Sequence, residues 1–245
     1  MEISLSAETI ANVFGFNVTN SFLTSIILSF TILIFSFYFT HIKLKISPKS
    51  RSIQNVIETI FESLFGLFET AAGEKTRIFF PLAATFFIYI LLGNWLGLLP
   101  GFGSIGIKEV VNGQNVLIPL FRGATADLNT TMALALISVA SFQYYGFQHF
   151  GFRYLKKFFN FKGPIDFYVG LLELISEFAR ILSFGFRLFG NIFAGEVLLT
   201  VMAFLLPFIL PLPFLGLELF VGLIQAVVFV MLSLVLLKVA TSHEH

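Results

Sequence analysis

The apolar tract at 170–206 is the feature that most limits how this chain can fold. It runs for 37 residues and carries Arg187 near its middle, with no acidic residue within eight positions on either side. As one helix it would be about 55 Å long, whereas the hydrocarbon core of a bilayer is about 30 Å thick. The tract must therefore tilt steeply, break or extend out of the membrane, and a strongly inclined helical hairpin is the simplest arrangement.

Composition places the chain in a membrane. Of its 245 residues, 57% are hydrophobic and 12% are charged, whereas soluble domains have about 25% charged residues. The net charge of +1 gives no reason to expect a nucleic-acid partner, and the absence of cysteine excludes disulfides and thiolate sites. Because no internal repeat is found, we expect a single membrane domain over 1–245.

Hydropathy and loop polarity divide this domain into segments. We expect an outer N-terminal arm at 1–20, membrane spans at 22–40, 78–99 and 128–147, an outer loop at 100–126, a cytoplasmic loop at 149–169, an arginine helix at 170–206 and a final helix at 214–240. Three prolines in the sequence LPFILPLP, between the last two tracts, disfavour one continuous helix. The predicted fold class is an all-α integral membrane protein with about five membrane-embedded helices, the last two forming a long, steeply tilted antiparallel hairpin.

The segment at 52–70, SIQNVIETIFESLFGLFET, is expected to be an amphipathic helix. Its apolar residues recur at helical spacing, and most of the other side is polar. Such a helix can lie in the membrane interface, here on the cytoplasmic side. Packing of its apolar face against another subunit is an equal alternative.

Basic residues predict the orientation. The region 41–77 holds six Lys and Arg residues and the loop after the third span holds four, whereas the N-terminal arm holds none and the loop at 100–126 holds two. Cytoplasmic loops carry the excess of Lys and Arg. We therefore expect the N-terminus outside and the C-terminus in the cytoplasm.

Several polar residues of the arginine helix share the face of Arg187. At about 100° per residue, Ser183, Asn191 and Glu173 each lie about 40° from Arg187, whereas Glu196 falls on the opposite face. An ionised side chain deep in a bilayer is costly and marks a functional site by default. Structural alternatives are a snorkelling arginine or one paired to a helix carbonyl.

Folding the last two helices back antiparallel aligns two polar pairs in one register. Arg187 faces the level of Gln225, and Glu196 faces the level of Glu218, with the turn near Pro207. Two polar levels then flank the arginine. One holds Glu196 and Glu218 toward the outside, and the other holds Glu173 and Glu177 toward the cytoplasm. Neither crosses the membrane alone, so the pattern suggests two offset half-paths separated by a fixed positive charge.

Four other polar residues have either a structural or a functional interpretation. Arg180 is nearer the cytoplasmic end, where snorkelling is expected, and Glu177 is as compatible with a structural role as with a water path. Asn94 and Asp127 lie near the outer ends of spans two and three. They are possible outer half-channel residues, although Asp127 is first expected to be the N-cap of the third span.

Four stretches of sequence resemble one known family. SFGFRLFGNIFAGE is similar to the arginine-helix motif of subunit a of rotary F-type ATP synthases of the bacterial type, and LIQAVVFVMLSLVLL is similar to the last helix of that subunit. FFIYILLGNWLGLLPG and TADLNTTMALAL resemble its second span and the start of its third. Together these stretches cover most of the chain from Phe79 onward.

The resemblance implies a non-catalytic, proton-conducting subunit that packs against a ring of c subunits, each with a carboxylate in mid-membrane. It implies that Arg187 is the essential arginine, with Ser183 and Asn191 beside it and Gln225 facing it. The resemblance also implies that Glu196 and Glu218 are outer half-channel residues, and some relatives carry a histidine at one of these two positions. Glu173 corresponds to a position in the cytoplasmic half-channel. The expected partners are the c-ring, the b-subunit peripheral stalk, the rest of the ATP synthase complex and the lipid of a bacterial inner membrane. Protons are the expected coupling ion rather than Na⁺.

A secondary transporter that uses an intramembrane arginine as an anion site is the alternative. Such proteins usually have internal repeats, and none is found here. Neither a phosphate-binding glycine motif nor a set of intramembrane histidines occurs. We therefore expect no cofactor, no metal and no catalytic residues in this chain.

Overall fold

Six helices and two short hairpins form the described part of the protein. The computed structural model describes residues 7–13, 16–41, 53–99, 102, 105–111, 114–158, 163–206 and 209–242. The helices are α1 Asn20–His41, α2 Ile53–Ala72, α3 Thr76–Leu96, α4 Leu128–Phe150, α5 Pro164–Leu205 and α6 Pro211–Ser242. Short 3₁₀ turns lie at Gly73–Lys75, Ala124–Ala126 and Gly151–Lys157. The predicted class of helical membrane protein is confirmed.

Four helical segments are long and apolar enough to cross a membrane. They are Asn20–His41, Gln54–Leu96, Ile165–Leu205 and Pro211–Ser242. The second of these joins α2 and α3 through the Gly73–Lys75 turn. The 23-residue α4 is long enough, at about 1.5 Å per residue, but is less apolar, and it packs against α5 and α6. The chain is a multi-pass membrane protein.

The two hairpins are elements that the sequence analysis did not predict. Strands β1, Thr9–Val13, and β2, Phe16–Thr19, pair antiparallel just before α1, and β3, Gly106–Val111, pairs antiparallel with β4, Gln114–Pro119, between α3 and α4. Helix order places both at one end of the bundle, which is also where α5 ends and α6 begins. We call this the hairpin end, and the other the loop end.

Helix α5 resolves the length problem of the arginine tract without a break. It is one helix of 42 residues, about 63 Å long, so it must incline in the membrane or extend beyond it. It begins at Pro164, six residues before the predicted start. Proline is favoured in the first helical turn because its missing N–H would have no partner there, and this start signal is stronger than the change in hydropathy near 170.

The register of the α5–α6 hairpin agrees with the one deduced from the polar residues. The Phe184 and Phe229 rings lie 5.3 Å apart, and a Cβ atom on Gly195 would overlap the Glu218 carboxylate. Both pairs are centred between residues 206 and 207. The predicted turn residue Pro207 lies outside the described residues.

Helix α6 is the centre of the bundle. It packs against α2, α3, α4 and α5, and its Ala226, Val230 and Leu234 are fully buried. The remaining core is rich in phenylalanine. Its buried aromatic residues on the surrounding helices are Phe68, Phe79, Phe86, Phe87, Phe142 and Phe184.

Helix α2 buries its apolar face within the chain. Leu64 and Phe68 are buried, and the Phe68 ring lies 5.9 Å from that of Phe80 on α3. Val56 and Ile60, at its start, remain exposed. Another subunit is therefore not needed to cover the C-terminal half of this helix, although one can cover the first half.

Polar side chains link the helices at several depths. Ser138 of α4 and Ser233 of α6 share a buried hydrogen bond of 2.8 Å, and Lys75 Nζ donates to the Thr241 carbonyl at 2.7 Å. Trp95 Nε1 on α3 donates to the Leu219 carbonyl at 3.1 Å. Interhelical hydrogen bonds of this kind help to hold membrane helices together.

Asp127 is the N-cap of α4, as expected from sequence. Its Oδ1 accepts the Asn129 backbone N–H at 3.0 Å. Its Oδ2 accepts a second hydrogen bond, at 2.6 Å, from Ser21 Oγ at the start of α1. The carboxylate, only 8% exposed, therefore joins α1 to α4 at the hairpin end.

We expect Asp127→Ala to lower the stability of the folded chain by about 1–2 kcal/mol, because it removes a helix cap and leaves Ser21 without its acceptor. Asp127→Asn, which keeps an oxygen that can accept from Asn129, is the matched control and should lose less. Thermal unfolding of purified protein in detergent measures both. An Asp127→Ala variant as stable as wild type would show that the cap contributes nothing.

Candidate functional site

Arg187 lies near the middle of α5 and is exposed on the surface of this chain. Its Nη2 donates a hydrogen bond of 3.3 Å to Ser183 Oγ, one turn earlier, and its guanidinium carbon is 6.0 Å from the centre of the Phe184 ring. No carboxylate of the described residues pairs with it. Among the described residues, the guanidinium therefore has a single, neutral hydrogen-bond partner.

The face around Arg187 is polar and open. Ser183 and Asn191, one turn on either side, are both exposed, as the helical spacing predicted. Gln225 on α6 is half-buried, and the hairpin register places it within one residue of the Arg187 level. Arg187 and Gln225 share no hydrogen bond among the described residues.

A cavity of about 180 Å³ opens between α3, α5 and α6 toward the hairpin end. Three predicted site residues, Asn94, Glu196 and Glu218, line it together with Thr200. Asp127, the other possible outer residue, is not among the residues that line it. The cavity therefore gathers carboxylate, amide and hydroxyl groups from three helices on the hairpin side of Arg187.

Gly195 makes room for the Glu218 side chain. Gly195 faces Glu218, and any side chain at this position would overlap the carboxylate. Glu218 is 6% exposed and forms no ion pair or hydrogen bond among the described residues. A buried carboxyl group without a protein partner is costly when ionised, so this group suits a role in which it carries a proton.

Asn94 contributes one satisfied and one open polar atom. Its Nδ2 donates to the Gly222 carbonyl at 2.9 Å. Its Oδ1 is buried and accepts no hydrogen bond among the described residues. A buried acceptor beside a polar cavity is a position where water binds, which supports a hydrated interior.

Arg122 is the functional candidate that sequence reasoning missed. Its Nη2 lies 3.6 Å from Glu196 Oε2, and its side chain is 9% exposed. It is adjacent to Gly123, which lines the cavity. The signal in the sequence is an arginine in an outer loop that is otherwise poor in basic residues and that leads directly into TADLNTT.

A second cluster lies on the loop side of Arg187. Arg180 pairs with both predicted acids, through Nη1 to Glu177 Oε1 at 2.5 Å and through Nη2 to Glu173 Oε1 at 3.6 Å. Both acids precede Arg180 in α5, by about two turns and one turn, so the snorkelling expected for Arg180 stays a prediction and the two ion pairs are an addition to it. Glu177 is buried and Glu173 is partly exposed.

Tyr154, in the turn after α4, packs beside this cluster. Burial, and then the negative charge of Glu177, raise the pKa of the Tyr154 phenol to about 12. Its ring occupies the space over Gly146, where a Cβ atom would lie 2.6 Å from the ring. The phenol stays neutral at physiological pH and connects the α4–α5 turn to the acids of α5.

Comparison with known proteins gives one consistent result. The sequence profile of the family described as ATP synthase A chain matches residues 22–238. The ATP synthase subunit a of Syntrophobacter fumaroxidans is 36% identical over 206 residues, which are 82% of this chain and 76% of that relative. The ATP synthase subunit a of Desulfotalea psychrophila is 40% identical over 197 residues, which are 78% of this chain and 73% of that relative.

The Arg180 cluster generates a stability prediction. Arg180→Met removes the guanidinium that pairs with both Glu173 and Glu177, and we expect a loss of about 2 kcal/mol. This is less than the loss for a fully buried pair, because Arg180 is 29% exposed. Unfolding in detergent measures the loss, and Arg153→Met, which alters an exposed arginine, is the control.

Adding Glu177→Gln to Arg180→Met should recover part of the loss, because one of the two neighbouring negative charges is then removed. A double variant that is less stable than Arg180→Met alone would contradict this explanation.

Proposed function

Because this chain belongs to the ATP synthase A chain family, and is a membrane-sector subunit of an F-type ATP synthase, we propose how it moves protons. In this proposal it is the stationary subunit beside a rotating ring of c subunits. It provides two half-channels that open on opposite sides of the membrane and an arginine between them. Proton flow through the half-channels turns the ring and drives ATP synthesis elsewhere in the complex.

The isolation of Arg187 within its own chain is the observation on which the proposal depends. The guanidinium is exposed near the middle of a membrane helix and has no acid among the described residues. Placing an unpaired charge at mid-membrane costs about 2.5–3.5 kcal/mol or more. A carboxylate on a neighbouring subunit would remove this cost, and the ring carboxylates of the proposal are such groups.

The hairpin-end cavity is the proposed outer half-channel. Asn94, Glu196 and Glu218 line it, and the open acceptor on Asn94 favours water inside. Glu218, which is buried and has no hydrogen-bond or ion-pair partner among the described residues, is the proposed proton carrier next to the ring. Its distance from Arg187 is about eight residues of helix in the hairpin register, or about 12 Å, which separates proton entry from the arginine.

The cytoplasmic half-channel is proposed to begin near Glu173 and Glu177. Both acids lie on the loop side of Arg187, and Glu173 remains partly exposed although Arg180 holds it. Ser183 and Asn191 extend the polar face around Arg187. The two half-channels are thus offset along α5, with the arginine between them.

The mechanism follows from charge. A proton entering from outside neutralises a ring carboxylate, which can then face lipid at low cost. After the ring has turned, the carboxyl group meets Arg187, and the nearby positive charge favours loss of the proton to the cytoplasmic side. Arg187 cannot itself release a proton, so it blocks a direct leak. Each charge that crosses 100 mV releases about 2.3 kcal/mol.

The proposed setting is a bacterial inner membrane with the hairpin end outside. The N-terminus is then outside and the C-terminus in the cytoplasm, in agreement with the distribution of basic residues. Exposed apolar side chains on α1, among them Phe30, Leu33 and Phe37, remain available for lipid or for the b subunits of the peripheral stalk.

ATP-driven acidification of inverted membrane vesicles tests the role of Arg187. We expect Arg187→Ala to reduce proton pumping by about a hundredfold, because the ring carboxylate is then left without a countercharge at mid-membrane. ATP hydrolysis and assembly of the complex should persist. Ser183→Ala, which removes only the hydroxyl that accepts from Arg187, is the matched control and should pump nearly normally. Full pumping by an assembled Arg187→Ala complex would refute the proposal.

A further inference from the structure

The chemistry of the outer cavity is that of a site for a hard metal cation. Four of the residues that line it, Glu196, Glu218, Asn94 and Thr200, have side-chain oxygen atoms, and the others are glycine or apolar. Carboxylate, amide and hydroxyl oxygens are the ligands that hard cations prefer. A second, independent observation is that Asn94 Oδ1 is buried and accepts no hydrogen bond among the described residues.

One side chain opposes the binding of a cation there. The Arg122 guanidinium is 3.6 Å from Glu196 Oε2 and is almost fully buried, so solvent does little to screen its charge. The other basic residue of the same loop, Lys108, precedes Arg122 by fourteen positions. Arg122 thus offsets the negative charge of Glu196, and Glu218 is left as the acid of the cavity that has no ion pair among the described residues.

Protons and metal ions respond differently to this arrangement. A metal cation must itself enter the cavity and be coordinated there, and the fixed Arg122 guanidinium beside Glu196 repels it. A proton can pass along hydrogen-bonded water to Glu218 without occupying a coordination site. The arrangement therefore discriminates by the size and coordination of the ion, and it leaves proton transfer open.

We infer that Arg122 determines the ion specificity of the outer half-channel, because its ion pair with Glu196 excludes Na⁺ from an oxygen-lined cavity that would otherwise bind it. The inference rests on the proposed function, since it assigns a role within the proton path. It adds an expectation that the proposed function does not make, which is that removal of the positive charge of Arg122 makes proton pumping sensitive to Na⁺.

The test measures ATP-driven acidification of inverted vesicles loaded with either NaCl or choline chloride, using the whole complex. Pumping by wild type in choline chloride tests the proposed function by itself. Arg122→Gln should be half-inhibited at a luminal Na⁺ concentration at least about tenfold lower than wild type, because a repelling unit charge has been lost. Arg122→Lys, which keeps the charge, should behave like wild type.

A double variant separates charge from shape. Arg122→Gln with Glu196→Gln removes one charge of each sign and should return to the low Na⁺ sensitivity of wild type. Since every variant contains the same ring, a difference between them reports on the cavity. If Arg122→Gln pumps with the Na⁺ response of wild type, or if Arg122→Lys is as sensitive as Arg122→Gln, the inference is wrong.

Replacing a buried arginine that pairs with a glutamate can prevent folding, so a second comparison does not need the single variant. Glu196→Gln and the double variant differ only at residue 122. Half-inhibition of the double variant should occur at a Na⁺ concentration at least about tenfold below that of Glu196→Gln. Equal responses of these two complexes would overturn the inference.

Discussion

A positive charge that its own chain does not neutralise is the constraint on which the rest of the structure depends. Arg187 occupies a helix of 42 residues and, among the described residues, has only the Ser183 hydroxyl as a hydrogen-bond partner. Two other charged side chains of α5 are held by residues of the same chain, since Arg180 pairs with two glutamates and Glu196 pairs with Arg122. The arginine face is thus a place on α5 where the described part of the chain leaves a charge without a countercharge.

Small residues decide where water can enter this bundle. Gly97 and Gly123 approach each other closely at the hairpin end, and Gly195 leaves space for Glu218. Larger side chains at these positions would close the cavity or move the carboxylate. Polar groups lining the cavity come from α3, α5 and α6, so it exists only when all three helices pack together.

Much of this arrangement could be predicted from the sequence because the membrane penalises polar groups that are left alone. Arg187, Gln225, Glu196 and Glu218 align in a single antiparallel register, and the structure has that register to within one residue. The fold class and the family follow from the same residues. Such reasoning succeeds where a few polar side chains interrupt a long apolar helix.

The failures have equally physical reasons. Arg122 could not be identified as a site residue, because nothing local in the sequence reveals that its loop turns inward to meet α5. Hydropathy does not predict the β3–β4 hairpin, although the sequence Asn112–Gly113 is a strong turn signal. The ion pairs of Arg180 were not predicted, although Glu173 and Glu177 precede it at helical spacing.

The central position of α6 has a consequence for biosynthesis. This helix contacts α2, α3, α4 and α5, yet the ribosome makes it after all of them. Until α6 is inserted, Phe86 and Phe184 lack the Phe229 ring on which they pack in the finished protein, and the cavity lacks Glu218. Insertion of the newly made α6 completes the core and the cavity together, so in the proposed mechanism a nascent chain that stalls before this step has no complete outer half-channel.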